Sequence, residues 1–177
     1  MNKAVAGLLL SIGILLSAAC DLRAGSGVLR VGTKAPAVVT KTLGDVGGDF
    51  ARITTYRYPD ARMYRYSVHE AMLQGKPILL EFATPGHCTV CDNQLQMLKG
   101  LLSEYESKVV FLHMDQYQNP QAFKTFRVMG DPWTFVIDSQ GVVQFTRPGR
   151  LLYQEIVPVL QKVLEQDDTR RRLALSQ

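Results

Sequence analysis

A chain of 177 residues with 46% hydrophobic side chains holds enough apolar material for one globular domain plus an extension. Its formal charge of +4 is mild, and no block of like charge interrupts it, so nothing points to a nucleic-acid partner.

The N-terminus has one basic residue, Lys3, followed by the apolar or small run from Ala4 to Leu16 and by Ser17-Ala18-Ala19. A basic start, a short apolar centre and small residues at the cut predict a secretory signal over 1–19, too short for the roughly 20 residues of a bilayer span. Leu16-Ser17-Ala18-Ala19-Cys20 resembles a bacterial lipobox, with Ser17 where leucine is usual. The resemblance implies a lipid on Cys20, and Asp21 after it is similar to the inner-membrane retention signal of enterobacterial lipoproteins. A lipoprotein on the periplasmic side of the bacterial inner membrane is therefore expected. Its Gly-containing linker covers 20–35, and an N-terminal extension covers 36–65.

Within the extension, Tyr56-Arg57-Tyr58 and Tyr64-Arg65-Tyr66 flank Pro59-Asp60-Ala61-Arg62-Met63. Alternation around a Pro-Asp turn predicts a β-hairpin, with tyrosines on one face and arginines on the other. The arginine face also suggests a docking surface for a partner protein. Ser67 to Gln74 reads as a short helix with a Ser67/Glu70 capping box, ended by Gly75 and with His69 exposed in its first turn.

Pro77 to Ala83 is an apolar run broken only by Glu81, and it predicts a buried strand. Thr84-Pro85-Gly86-His87 then leads into Cys88-Thr89-Val90-Cys91. Cys91, Leu95, Leu98, Leu102 and Tyr105 recur at helical spacing, so a helix begins near Cys88. A thiolate at a helix start gains from unpaired backbone N–H groups and the helix dipole, which favours redox chemistry. If Cys20 is lipidated, Cys88 and Cys91 are the remaining cysteines of the three in the chain. A disulfide across two intervening residues removes little unfolded-state entropy, so a purely structural role is disfavoured.

Val109 to Met114 predicts another buried strand, and Asn119-Pro120 starts a helix running to about Arg127, with Asn119 as its cap. Trp133 to Ile137 is a strand, Ser139-Gln140-Gly141 a tight turn, and Val142 to Phe145 an antiparallel return. Leu151 to Leu164 forms a last helix that Pro158 should kink, and a charged tail over 165–177 should fray.

Three features over about Tyr66 to Leu164 resemble the thioredoxin family. They are Cys88-Thr89-Val90-Cys91 after an apolar strand, Met114-Asp115-Gln116 followed by Asn119-Pro120, and Val128 to Asp138 matching V-x-G-x-P-x-T-F-x-I-D of periplasmic thioredoxin-like proteins. Gly32-Thr33-Lys34-Ala35-Pro36 is similar to the segment that opens such extracytoplasmic domains. The fold class this implies is α/β, a thioredoxin fold over 66–164 with a mixed central sheet and helices on both faces. To it the sequence adds the N-terminal β-hairpin.

The resemblance also implies that Pro132 is a cis-proline facing the disulfide, that the backbone at Asp131 pairs with a substrate chain, and that Glu81 is a buried acid relaying protons to Cys91. His87 stands where the family usually has tryptophan, the approach to Cys88 is one residue longer, and acidic Asp131 precedes the proline. With Pro132, Asp131 and His87 are the candidate substrate contacts.

In thiol–disulfide exchange a thiolate attacks a disulfide and a second thiol releases the mixed disulfide. Cys88 is the expected nucleophile, Cys91 the resolving thiol and Glu81 the proton acceptor. The Cys88–Cys91 couple needs no other cofactor. Negative charge from Glu81 and Asp131 disfavours a thiolate and so favours a reductant. The resemblance implies exported protein thiols and disulfides as substrates, as for apocytochrome c, and a membrane electron donor. Two alternatives use the same residues: a copper or zinc metallochaperone with His113 or His87 as further ligand, and a redox-inactive interaction module. Covalent haem attachment would need histidine where Asp92 stands.

Overall fold

The computed structural model describes residues 27–176. The signal segment, Cys20 and Asp21 lie outside the described residues. Four strands form one mixed sheet: β1 (Ile78–Phe82), β2 (Val110–Met114), β3 (Trp133–Ile137) and β4 (Val143–Pro148), in the order β2-β1-β3-β4. β1 pairs parallel with β2 and antiparallel with β3, and β3 pairs antiparallel with β4. The helices are α1 (Val68–Met72), α2 (Thr89–Tyr105), α3 (Pro120–Phe126) and α4 (Tyr153–Leu175).

β1, β2 and β3 are buried at every position because helices cover both faces of the sheet, which is why their sequences run apolar rather than alternating. On one face Leu79, Phe111 and Val136 pack with Leu95, Leu98 and Leu102 of α2 and Ile156, Leu160 and Val163 of α4. On the other, Leu80, Phe82, Leu112 and Phe135 pack with Val68 and Ala71 of α1 and Phe123 and Phe126 of α3. This is the expected α/β, thioredoxin-like arrangement with a four-stranded mixed sheet. The capping box of α1 forms as expected: Glu70 N–H donates to Ser67 Oγ at 3.1 Å, and Ser67 N–H to Glu70 Oε2 at 2.8 Å. Asn119 precedes α3, but its side chain accepts from Lys41 N–H instead of capping the helix.

The expected N-terminal hairpin is absent among the described residues. Asp60 starts a single 3-10 turn, Ala61–Tyr64: its carboxylate accepts from Arg62 N–H at 3.0 Å and pairs with the Arg62 guanidinium at 2.7 Å. A local side-chain cap of this kind competes directly with a strand ladder. The tyrosines do not share a sheet face either. Tyr56 and Tyr64 are buried in the α2-side core with Val46, Ile53 and Met63, whereas Tyr58 is exposed. Residues 36–65 thus contribute to the main core. Further upstream, Gly32 N–H donates to Val143 O and Ala35 N–H to Gly141 O, tying the segment before Pro36 to the start of β4.

The C-terminal segment also differs from expectation. α4 is one helix through Leu175, with Pro158 inside it and no frayed tail at Glu165. Pro158 and Gln154 are both exposed, so the Gln154 carbonyl that loses its N–H partner faces water. The helix is held further on by Asp167, buried at 1% exposure. Asp167 accepts from Ser139 N–H at 3.0 Å and from Arg170 at 2.5 Å, and Arg170 also reaches the buried Asp138 at 3.0 Å. Two carboxylates sharing one guanidinium bind α4 to the β3–β4 turn. Asp167→Ala should cost about 1–3 kcal/mol, because it leaves the Ser139 N–H without its acceptor and takes from Arg170 one of its two carboxylates. Hydrogen exchange should then accelerate selectively in 165–175 and in the 139–141 turn.

Candidate functional site

Cys88 and Cys91 form a disulfide with their Cα atoms 5.1 Å apart. Cys88 is the N-cap of α2, and its Sγ accepts the Cys91 N–H at 3.1 Å. Cys88 is partly exposed and Cys91 fully buried. An incoming group therefore reaches Cys88 first, and the backbone N–H aimed at its sulfur stabilises a thiolate there. The longer approach is taken up by a 3-10 turn, Pro85–His87, in which Cys88 N–H donates to Pro85 O at 3.1 Å.

Beneath α2 the three buried strands each carry one polar residue in their apolar run. Glu81 is paired in register with His113 on β2 and Thr134 on β3, so all three side chains share the face that α2 covers. Thr134 Oγ1 donates to Glu81 Oε2 at 2.6 Å. Gln94, one turn beyond Cys91 and fully buried, accepts Leu151 N–H at 3.0 Å through its Oε1. Its Nε2 and Glu81 Oε1 have no hydrogen-bond partner. Burial pushes the Glu81 carboxyl up to about 8; Thr134 and the Gln94 amide pull it down, and the negative charge of Asp131 pushes it further up. A carboxyl poised near neutrality can carry a proton in either direction.

His113 has both ring nitrogens engaged. A carbonyl can only accept, so Nε2–H donates to Ala83 O at 2.9 Å, and Nδ1 accepts from the Tyr64 hydroxyl at 2.6 Å. Burial lowers its pKa to about 4, against the Ala83 hydrogen bond and the charges of Asp115 and Asp131. His113 is thus a neutral, internally bonded histidine and not a free metal ligand. His87 is exposed, with its ring edge-on to Tyr117 at 5.6 Å. Among the described residues no group of three or more His, Cys, Asp or Glu side chains is arranged to hold a metal ion.

The Asp131–Pro132 bond is cis, as the resemblance implied. Pro132 is buried and Asp131 half-buried, with Asp131 Oδ2 inaccessible and unpartnered.

Sequence reasoning missed Thr134, Gln94 and the residues that hold the approach loop. Thr55 donates to Asp115 Oδ2 twice, from its N–H at 2.7 Å and its hydroxyl at 2.6 Å, and its hydroxyl accepts Gly86 N–H at 3.0 Å. A Cβ on Gly86 would lie 3.0 Å from Thr55 Cβ, so a larger residue there would have to push Thr55 aside by a few tenths of an ångström. Asp115 Oδ1 accepts Tyr117 N–H at 3.0 Å, which fixes the backbone carrying the ring against His87. The signal for Glu81, His113 and Thr134 was present as one polar interruption per buried strand; the Thr55 contact spans sixty residues of sequence and left none.

No protein-family model matches the chain, and no curated protein matches it. Among solved structures it is similar to a chloroplastic thioredoxin z, with 17% identity and a TM-score of 0.48 over 52% of this chain and 82% of that one. It is similar to the thioredoxin of Fasciola hepatica, with 19% identity and a TM-score of 0.49 over 54% and 90%. A malaria-parasite thioredoxin-2 aligns with 18% identity and a TM-score of 0.45 over 49% and 82%. By its own strand order and helix placement the chain is a thioredoxin-like fold whose Cys88–Cys91 disulfide sits at the start of α2, an arrangement suited to thiol–disulfide exchange.

Proposed function

We propose that this protein is a thiol–disulfide oxidoreductase of the bacterial periplasm, tethered through a lipid on Cys20 and working as a reductant of exported proteins. The observation that carries the redox reading is the pair itself: a partly exposed Cys88 whose sulfur caps α2, joined to a buried Cys91, on the helix that covers the sheet face bearing a carboxyl held near neutrality. In the reduced form the Cys88 thiolate attacks a substrate disulfide, forms one S–S bond and expels the other substrate sulfur as a thiolate. Cys91 passes its proton toward Glu81 and attacks Cys88 Sγ. The substrate's second sulfur leaves as a thiolate that takes up a proton. Two electrons pass to the substrate and the pair becomes a disulfide, which a membrane donor of two electrons must reduce again.

The direction rests on negative charge around the pair. Asp131→Asn should bring the Glu81 carboxyl down, lower the Cys88 pKa and make the couple more oxidising. One unit in the cysteine pKa corresponds to about 1.4 kcal/mol, or about 30 mV for two electrons. Thiolate absorbance against pH reads the first quantity, and an unchanged or more reducing couple would remove Asp131 from the explanation.

The activity is tested by reduction of a disulfide-bonded test protein with a small dithiol as donor. Wild type should accelerate it, and the double variant Cys88→Ser/Cys91→Ser should not. Equal rates would end the oxidoreductase reading. For the anchor, metabolic labelling with a fatty acid should mark the wild type and spare Cys20→Ser; equal labelling of both contradicts lipidation at that residue.

A further inference from the structure

The cleft beside Cys88 is built partly from the N-terminal segment. An opening of ≈ 340 Å³ is lined by Cys88, His87 and Asp92 on the α2 side and by Thr55 and Arg57 on the other; Asp131 and Pro132 do not line it. A second opening of ≈ 590 Å³ shares Thr55 and Arg57 and continues along Phe50, Tyr56 and Pro59. The two meet at Arg57, giving one groove that leads from the reactive sulfur over residues 55–57. The wall is fixed in place: Thr55 is bonded twice to the buried Asp115 and once to Gly86, two residues before Cys88. Tyr56 is buried, and its hydroxyl donates to Gln96 at 3.1 Å.

Arg57 is exposed, and among the described residues no carboxylate lies within ion-pairing distance of it, unlike Arg62, Arg147 and Arg170. Asp92 faces the same cleft from the first turn of α2, so the charge along the groove is ordered: negative beside the helix start, positive at Arg57, apolar beyond. A chain lying there meets a cation on one flank of its cysteine only.

We propose that Arg57 is a specificity-determining residue, pairing with a carboxylate on one flank of the substrate cysteine while the polypeptide runs along the groove over Thr55 and Arg57. This deepens the thiol–disulfide reading and rests on it. Guanidinium and carboxylate match in a two-pronged geometry that other cation–anion pairs lack. The pair is exposed, so its effect is modest and falls with salt.

The test uses the full chain and short peptides with one cysteine, held as a mixed disulfide with 2-mercaptoethanol and flanked on either side by Asp, Asn or Lys. For wild type, Asp on one flank should raise kcat/KM about three- to fivefold over Asn, through KM. Arg57→Gln should abolish that preference, Arg57→Glu should transfer it to Lys, and Arg57→Lys should keep part of it. Exchange with bis(2-hydroxyethyl) disulfide, a neutral small molecule without flanks, reports any change at Cys88 itself, and the flank preference of each of the four proteins is read as a ratio between peptides, which such a change leaves untouched. An Asp preference that survives Arg57→Gln, or none in wild type, overturns the assignment. Binding of the same peptides with serine for cysteine, followed by fluorescence anisotropy, decides the role of Arg57 without any exchange. Absence of exchange with every disulfide contradicts the redox reading, while loss of flank preference in this binding arm contradicts the assignment of Arg57.

Discussion

Cys88→Ser should abolish exchange, by at least about a thousandfold, whereas Cys91→Ser should still attack and stop at the mixed disulfide. The asymmetry follows from position. Cys88 Sγ receives the Cys91 N–H at 3.1 Å and is partly exposed, so it is the sulfur that is both stabilised as a thiolate and reachable. Cys91 is fully buried in the α2-side core and is bonded to Cys88 Sγ. In Cys91→Ser the attack proceeds but no second thiol is in place to release the product. Non-reducing electrophoresis of the variants with a disulfide-bearing protein should show a covalent adduct for Cys91→Ser and none for Cys88→Ser. Adducts of the opposite pattern would mean that Cys91 is the attacking sulfur.

Glu81→Gln should change stability and kinetics together. Burial holds the Glu81 carboxyl near 8 in the folded protein against an ordinary 4.5. Between those values the native state keeps a proton that the unfolded chain has lost, so this contribution is complete below about 4.5 and is lost as pH rises through 8. His113 has the opposite sign. Its pKa is lowered from 6.5 to about 4, so its contribution is complete above 6.5 and is lost as pH falls toward 4. The two slopes oppose one another in the overlap, and above pH 6.5 Glu81 acts alone. The unfolding free energy of the disulfide form should fall by about 2 kcal/mol between about pH 6.5 and 8. Glu81→Gln should be flat over that range and more stable than wild type at its upper end. Without a proton acceptor for Cys91, resolution of the mixed disulfide should slow about a hundredfold. Urea unfolding at stepped pH reads the first effect, and stopped-flow release of a labelled substrate thiol the second. An unchanged pH slope in the variant would place the titration elsewhere; an unchanged release rate would remove Glu81 from the proton path.

Much of this was visible in the sequence, for physical reasons that differ by residue. The runs at 78–82, 110–114 and 133–137 are apolar but for one polar residue each because the sheet is covered on both faces, and α2 repeats at helical spacing because one stripe faces the core. Cys88 and Cys91 carry their chemistry in their spacing. The Tyr/Arg alternation at 56–66 misled because a period of two is also produced when Tyr56 and Tyr64 are pulled into the core separately, with Asp60 capping a turn between them. Asp167 looked like one more charge in a polar tail. Its burial depends on Ser139 and Arg170, and only the folded chain brings the Ser139 N–H to it. Thr55 was illegible in the same way, since its partners Asp115 and Gly86 are distant in sequence and local patterning encodes none of the contacts.

The equilibrium of the Cys88–Cys91 couple with reduced and oxidised glutathione tests the central claim most directly. With the negative charge of Asp131 disfavouring the thiolate, the pair should exchange reversibly and remain a disulfide until reduced glutathione is in large excess, as a reducing couple does. A pair already reduced by a trace of glutathione would contradict the reductant, and a pair that never exchanges would contradict redox function altogether.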